Sequence, residues 1–189
     1  WDYQEIRSGL LESGELITTK EAQRRVLILE NPGLDNSHRI VDSMFAGLQL
    51  IMPGEIAPAH RHSPAALRFI MEGHGAYTAV GGERSYMEPG DFIITPAWAW
   101  HDHGHEGEGP VVWMDGLDIP MAAAFGPLFF EVYDGDQAPD TVPPGDSQAR
   151  YGANMRPVGE SWDKLESPIF NYPYARSRDA LEQMREASD

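Results

Sequence analysis

Six of the seven histidines lie within one stretch of about 50 residues, and five of them form two short clusters. The first cluster holds His60 and His62, and the second holds His101, His103 and His105. In an extended strand, residues i and i+2 point to the same face of the sheet, so the rings within a cluster can be directed at one point. Imidazole nitrogens are common metal ligands. The two clusters therefore predict a metal site built on strands.

The spacing of the first cluster resembles a motif of cupin barrels: Gly, five residues, His-x-His, three or four residues, Glu, six residues, Gly. This motif reads Gly54, His60, His62, Ala66 and Gly73. The second cupin motif is Gly, five residues, Pro-x-Gly, two residues, His, three residues, Asn. It reads Gly90, Pro96, Trp98, His101 and His105. The spacing is kept, but three residue types are not.

The most informative departure is the loss of the usual glutamate ligand. Ala66 stands in its place, or Leu67 if the gap is four residues, and Trp98 and His105 replace the usual Gly and Asn. A metal held here would keep three neutral histidines.

The whole stretch from 48 to 120, with runs such as FIITPAWAWHDHG, is similar to the gentisate 1,2-dioxygenase family, whose relatives act on salicylate and 1-hydroxy-2-naphthoate. The similarity extends in both directions and covers nearly the whole chain. It implies a ring-cleaving bicupin enzyme, a homotetramer, with Fe(II) on His60, His62 and His101.

The chain is predicted to be all-β, a cupin jelly-roll barrel with short helical extensions at both ends. Short runs rich in β-forming residues alternate with Gly and Pro after position 44, and Gly81-Gly82 indicates a hairpin turn. We expect an N-terminal extension over 1–43, a barrel over 44–133, and a loop and helical linker over 134–189 that leads to a second cupin. Thr18 and Glu21 predict a helix over 21–29 through a capping box.

Composition excludes several classes of partner. Fourteen Lys and Arg against thirty Asp and Glu give a formal net charge of -16, which disfavours binding to nucleic acid. No apolar run approaches the length of a membrane span. The absence of cysteine, together with an iron-type site, favours the cytoplasm.

Two residues beside the metal cluster are candidates for catalysis. His103 shares the inward face of His101 and could serve as a base or as a hydrogen-bond partner to a substrate hydroxyl or bound oxygen, although a purely structural core histidine is the alternative. The family resemblance implies that Asp115 is an inward carboxylate that orients His103.

Three arginines are candidates for binding an anionic substrate. Alternation along the strand places Arg68 on the inward face, where a guanidinium needs an anion; that anion could be a substrate carboxylate or a buried Asp115. The resemblance implies that Arg24 or Arg25 reaches the barrel mouth, whereas a solvated helix face is the alternative for either. Gly47, in the segment 44–47, and Trp98 complete the predicted substrate-binding set, although core packing is the alternative for Trp98.

Three imidazoles carry no charge, so a divalent ion would keep its full charge and about three open positions in octahedral coordination. Such a site favours an anionic chelator, a small aromatic carboxylate with an adjacent hydroxyl, and O₂. The resemblance implies cleavage of gentisate between the carboxyl-bearing and hydroxyl-bearing carbons to give maleylpyruvate. Salicylate, 1-hydroxy-2-naphthoate, a different metal such as zinc or manganese, and a non-catalytic cupin that binds an aromatic acid all stay open.

Overall fold

The computed structural model describes residues 1–22, 24–34, 38–161, 163 and 165–188. They form two antiparallel sheets and four helices. The strands are β1 Val26–Ile28, β2 Phe45–Ile51, β3 Ile56–His62, β4 Ala66–Glu72, β5 Ala76–Val80, β6 Glu83–Tyr86, β7 Phe92–Thr95, β8 His101–His105, β9 Val111–Leu117, β10 Phe130–Val132 and β11 Asn171–Tyr172. The helices are α1 Tyr3–Leu16, α2 Ile119–Phe125, α3 Asp146–Tyr151 and α4 Tyr174–Glu186.

One sheet has six strands in the order β1-β2-β9-β4-β7-β11, and the other has five in the order β10-β3-β8-β5-β6. Strands that are neighbours in a sheet are mostly distant in sequence, as expected of a jelly roll. The predicted all-β cupin fold with helices at both ends is confirmed. None of the described helices combines the length and apolar character needed to cross a bilayer.

The turn between β5 and β6 forms as predicted. Val80 pairs with Glu83, which leaves Gly81 and Gly82 as a two-residue loop. Both glycines have positive φ, at 58° and 88°. Two-residue hairpin loops of this kind need positive φ at both positions, which glycine adopts without steric cost.

Two apolar clusters fix the barrel. The inner one fills one end between the sheets and consists of Ile51, Ile70, Ala76, Met87, Ile93, Val111 and Trp113. The outer one joins Leu10 of α1 to the other face of the six-stranded sheet, at Leu48, Leu50 and Val112. Alternate residues of β2 and β9 therefore face opposite clusters, and the inner cluster leaves the opposite end of the barrel free for a site.

The predicted helix over 21–29 is wrong, apart from Gln23, which lies outside the described residues. The capping-box contacts do form, since Thr18 N donates to Glu21 Oε2 and Glu21 N donates to Thr18 Oγ1. They close only one turn. The run from Val26 to Ile28 instead pairs with β2, because β-branched and aliphatic residues pack well on a half-buried sheet edge.

The C-terminal segment is tied to the barrel by buried carboxylates. Asp91 accepts a hydrogen bond from Tyr174 N, where α4 begins, and Glu83 accepts hydrogen bonds from the backbone N–H and hydroxyl of Ser147 in α3. Strands β1 and β11, from outside residues 44–133, extend the six-stranded sheet. The division of the chain at those boundaries stays a prediction.

A partly buried ion pair ties the N-terminal segment to the loop that follows β2. Arg25 Nη2 lies 2.6 Å from Glu55 Oε2 and Arg25 Nη1 lies 3.0 Å from Glu55 Oε1, while Thr19 and Met52 N also donate to this carboxylate. Burial alone would raise the pKa of Glu55. The hydrogen bonds outweigh burial and hold the pKa at about 2.

The pKa of Glu55 lies below its ordinary value of 4.5, so ionised Glu55 stabilises the fold. This stabilisation is fully present above pH 4.5 and is lost as the pH falls toward 2. We expect Glu55→Gln to lower the free energy of unfolding by about 2 kcal/mol at pH 7. Urea denaturation should show the gap to wild type closing between pH 4.5 and 2. Glu108→Gln, at an exposed site, is the control, and a gap independent of pH would contradict the assignment.

Candidate metal centre

The pairing of β3 with β8 brings three histidines together. His60 lies directly opposite His101, and His62 follows on the same face. The ring centroid of His101 lies 4.4 Å from that of His60 and 4.8 Å from that of His62. One ligand nitrogen from each residue lies within 4.8 Å of the other two. The histidines that the motif spacing selected therefore converge.

A β-bulge makes this register possible. Ala57 pairs with His103, but His60 pairs with His101, so β3 has one residue more than β8 over this interval. Without the extra residue, the partner of His101 would be Ala59, and the two ligand-bearing faces would be out of step. Bulges that redirect a side chain are common beside functional sites.

Each of the three rings is oriented by a backbone carbonyl two residues away. The Nδ1 atoms lie 3.2, 2.8 and 2.9 Å from the carbonyl oxygens of Pro58, Pro64 and Ala99 for His60, His62 and His101 respectively. For His62 and His101, a proton on Nδ1 leaves the Nε2 lone pair free to bind a metal, whereas Arg24 also contacts both ring nitrogens of His60. His101 Nε2 is buried without a hydrogen-bond partner among the described residues. The donor set fits a divalent transition metal.

All three ligands are neutral near pH 7, as metal binding requires. Burial lowers the pKa of His60 to about 2, and the charge of Arg24 adds to the effect. Burial also lowers the pKa of His62, and it lowers that of His101 well below the usual value. Ala66, in place of the usual glutamate, lines the same pocket without offering a ligand.

The histidines open into a cavity of about 650 Å³ between the sheets. This volume is within the range that holds small ligands. Beyond the histidines, its walls are mainly apolar, with Val26, Phe45, Pro64, Ala66, Leu117, Ile119, Leu128, Phe129 and Phe130, and its polar side chains are Arg24, Gln49, Arg68 and Asp115. The cavity thus combines an apolar surface suited to a ring with a few charged groups.

Arg68 and Asp115 face the cavity as a buried pair. The two residues are register partners in β4 and β9, and Arg68 Nε lies 3.4 Å from Asp115 Oδ1, while Arg68 Nη1 donates to Thr95 Oγ1 at 2.5 Å. Burial lowers the pKa of Arg68 and raises that of Asp115, and their opposite charges counter both shifts. The salt bridge that the sequence left open exists, and Arg68 still borders the cavity.

Of the two adjacent arginines, only Arg24 lines the cavity. Its Nε lies 3.2 Å from His60 Nε2. Burial, followed by the charge of Arg68, lowers the pKa of Arg24 to about 9, so it stays charged near neutrality. Arg25 points away and is held by Glu55, so its assignment to substrate binding is corrected: it is a structural ion pair.

His103 is fully buried, but neither ring nitrogen has a hydrogen-bond partner among the described residues. Its ring packs against Trp113, with 5.1 Å between centroids, and lies 6.2 Å from that of His101. The expected contact with Asp115 does not form, because that carboxylate lies opposite Arg68 and faces it instead. The catalytic roles of His103 and Asp115 stay predictions.

Trp98 requires a second correction, because it does not line the cavity. Its side chain is 40% exposed and stacks on Arg61, whose guanidinium carbon lies 4.5 Å from the ring centroid. Trp98 has φ of 64°, the left-handed conformation that explains why cupins place glycine here. His105 is buried and braces the next loop through Gly107 N and Gly109 O, so it is not a ligand.

Gly47 lies on the inward face of β2 with Phe45 and Gln49, both of which line the cavity. A Cβ at this position would fall 2.5 Å from Val26 Cγ1, so glycine lets β1 close the cavity wall. Sequence reasoning missed Gln49, which strand alternation from Gly47 could have found. It also missed the cavity role of Phe129 and Phe130, which lie in an apolar run that gives no sign of its orientation.

Comparison with known proteins agrees with this geometry. Residues 47–119 match the Cupin domain family. The chain is 58% identical over 189 residues to gentisate 1,2 dioxygenase 1 of Aquipseudomonas alcaligenes, and the match covers 100% of this chain and 54% of that protein. This chain carries a cupin domain homologous to the gentisate 1,2-dioxygenases. It spans about half the length of the curated relatives that it matches.

This chain also resembles solved structures of a related enzyme. The crystal structure of a salicylate 1,2-dioxygenase from Pseudaminobacter salicylatoxidans matches with a TM-score of 0.92 and 34% identity, over 100% of this chain and 54% of that one. A structure of that enzyme described as adducts with gentisate matches with a TM-score of 0.89 and 35% identity, over 97% and 51% of the two chains.

If the three histidines form one site, removing one should abolish tight metal binding. We expect His101→Ala to weaken binding of Co²⁺ by more than about 100-fold, since even the loss of an outer hydrogen-bond partner of a ligand costs 10–100-fold. Calorimetry and cobalt absorption would measure this. His74→Ala, which removes an exposed histidine paired with Glu88, is the control. Equal affinities in the two variants would contradict the site.

Proposed function

We propose that this chain is the cupin unit of an Fe(II)-dependent dioxygenase that cleaves the aromatic ring of gentisate to give maleylpyruvate. The observation that carries the proposal is the convergence of three neutral histidine nitrogens with Arg24 and Arg68 on one mainly apolar cavity. The relatives' names and the gentisate adduct of a similar enzyme support the choice of reaction and substrate.

The local charge of the cavity favours an acid although the chain is strongly acidic overall. The cavity lining contains two guanidinium groups, of Arg24 and Arg68, and one carboxylate, that of Asp115, whose pKa is raised by burial. The neutral histidines add no charge. A carboxylate ligand therefore enters a site of net positive charge in surroundings of low polarity, where a charge-assisted hydrogen bond is stronger than in water.

The residues that would hold the iron are His60, His62 and His101. When bound, the metal would supply a centre on which an ortho-hydroxy acid and O₂ meet and exchange electrons. The carbon–carbon bond between the carboxyl-bearing and hydroxyl-bearing carbons breaks, and both oxygen atoms enter the product. The balance needs no other reductant, because the ring supplies the electrons.

Side chains of this protein would bind the substrate, exclude water and transfer a proton. Arg68 has hydrogen-bond donors at the cavity wall and can hold the substrate carboxylate. The apolar wall, which includes Phe45 and Phe130, can enclose the ring and exclude water. His103 is neutral and has no hydrogen-bond partner at either nitrogen within the described part of the chain, so it is available to accept or donate a proton.

Salicylate is the second candidate substrate, because the salicylate 1,2-dioxygenase structure superimposes so closely on this chain. The two acids share the carboxylate and the ortho-hydroxyl that would bind the metal. The second cupin, the tetramer and the cytoplasmic location that the sequence led us to expect all belong to this proposal.

The direct test is anaerobic loading of the protein with Fe(II) and gentisate, followed by admission of air. We expect oxygen uptake equimolar with gentisate and the appearance of maleylpyruvate, identified by mass spectrometry with both atoms from ¹⁸O₂. Salicylate and 1-hydroxy-2-naphthoate are run in parallel. Binding of these acids without oxygen uptake would instead indicate a non-catalytic cupin and reject the proposal.

Arg68 offers a second test of substrate binding. Arg68→Lys keeps the charge beside Asp115 but loses the planar pair of donors, so we expect the KM for gentisate to rise about tenfold. Arg61→Lys, on the outward face of β3, is the matched control and should leave the KM unchanged. An unchanged KM in a folded Arg68→Lys protein would remove Arg68 from the substrate site.

A further inference from the structure

Arg24 contacts a predicted metal ligand directly. It lies just before β1, at the edge of the six-stranded sheet, and reaches across the cavity to His60 on the other sheet. Its Nε is 3.2 Å from His60 Nε2, and its Nη2 is 2.6 Å from His60 Nδ1. The guanidinium therefore covers both nitrogens of one ring.

Neither pairing is compatible with a metal ion on His60 Nε2. If Arg24 Nε donates to Nε2, the lone pair that a metal would use is already taken. If Arg24 Nη2 donates to Nδ1, the proton of the neutral ring must sit on Nε2 instead. In both cases Arg24 has to leave the ring before Nε2 can bind a metal.

One nitrogen of the Arg24 guanidinium could still donate a hydrogen bond to a ligand. This nitrogen, Nη1, is buried without a hydrogen-bond partner among the residues that the structure describes, and none of their ion pairs joins this guanidinium to a carboxylate. By contrast, Arg68 in the same cavity faces Asp115, and Arg25 is held by Glu55. A partly buried cation that contacts no carboxylate is unfavourable, so a released Arg24 would be stabilised by an anion in the cavity.

We propose that Arg24 and the metal ion compete for His60, so that metal loading releases the guanidinium of Arg24 to bind the carboxylate of an incoming acid. Arg24 then couples the two binding events: the metal binds first, and the acid contacts both Arg24 and Arg68 only in the loaded site. The metal step stands without the proposed function, whereas the second step depends on it for the choice of acid.

Affinity for Co²⁺, measured by calorimetry without substrate or O₂, tests the competition. Arg24→Met should bind Co²⁺ about tenfold more tightly than wild type, since it removes a charged hydrogen bond to the ligand and a nearby positive charge. Arg61→Met removes the same charge from the outward face of β3 and should change nothing. An affinity of Arg24→Met equal to or weaker than that of wild type would overturn the proposal.

Displacement itself is observable by NMR. The Nε–H resonance of Arg24, identified by its absence in Arg24→Met, should move when Zn²⁺ saturates the site, whereas that of Arg25 should stay in place. An Arg24 resonance unmoved by saturating Zn²⁺ would show that the guanidinium does not leave His60.

Binding of gentisate to the Zn²⁺-loaded protein tests the second step without turnover. When zinc is present, we expect Arg24→Met to bind gentisate about tenfold more weakly than wild type. When zinc is absent, we expect the variant and wild type to bind gentisate with the same low affinity. The same loss with and without zinc would contradict the coupling but leave the ring-cleavage proposal intact. If the coupling is intact but the iron-loaded protein takes up no oxygen with gentisate, the ring-cleavage proposal is rejected and the coupling stands.

Discussion

The antiparallel register of β3 and β8 is the constraint on which the site depends. One extra residue in β3 sets His60 opposite His101, and strand alternation then adds His62 on the same face. Backbone carbonyls two residues away orient each ring. The metal centre is thus largely a property of the backbone, which explains how it can form without the carboxylate ligand usual in cupins.

Charge is the second constraint. The chain has a formal net charge of -16, yet its cavity holds two arginines beside a single carboxylate and neutral histidines. Burial keeps the histidines uncharged and weakens the ionisation of Asp115. Under the proposed function, the site would therefore attract an anion through local contacts rather than through the field of the whole protein.

The sequence predicted whatever follows from alternation and turn chemistry: the barrel strands, the Gly81-Gly82 hairpin and the histidine cluster. It failed where tertiary pairing overrides local signals. The capping box over Thr18 and Glu21 forms its hydrogen bonds, but edge pairing with β2 turns the following residues into a strand. The β3 bulge, and which of Arg24 and Arg25 faces the cavity, leave no pattern in a single sequence, because both depend on partners distant in the chain.

The central claim is that a metal sits on three imidazoles and retains open positions for an acid. X-ray absorption spectroscopy of the iron-loaded protein, held anaerobic, tests it most directly. The account predicts scattering from three histidine rings, and a change in the oxygen shell when gentisate is added. Fewer than three rings, or a spectrum that gentisate leaves unchanged, would contradict it.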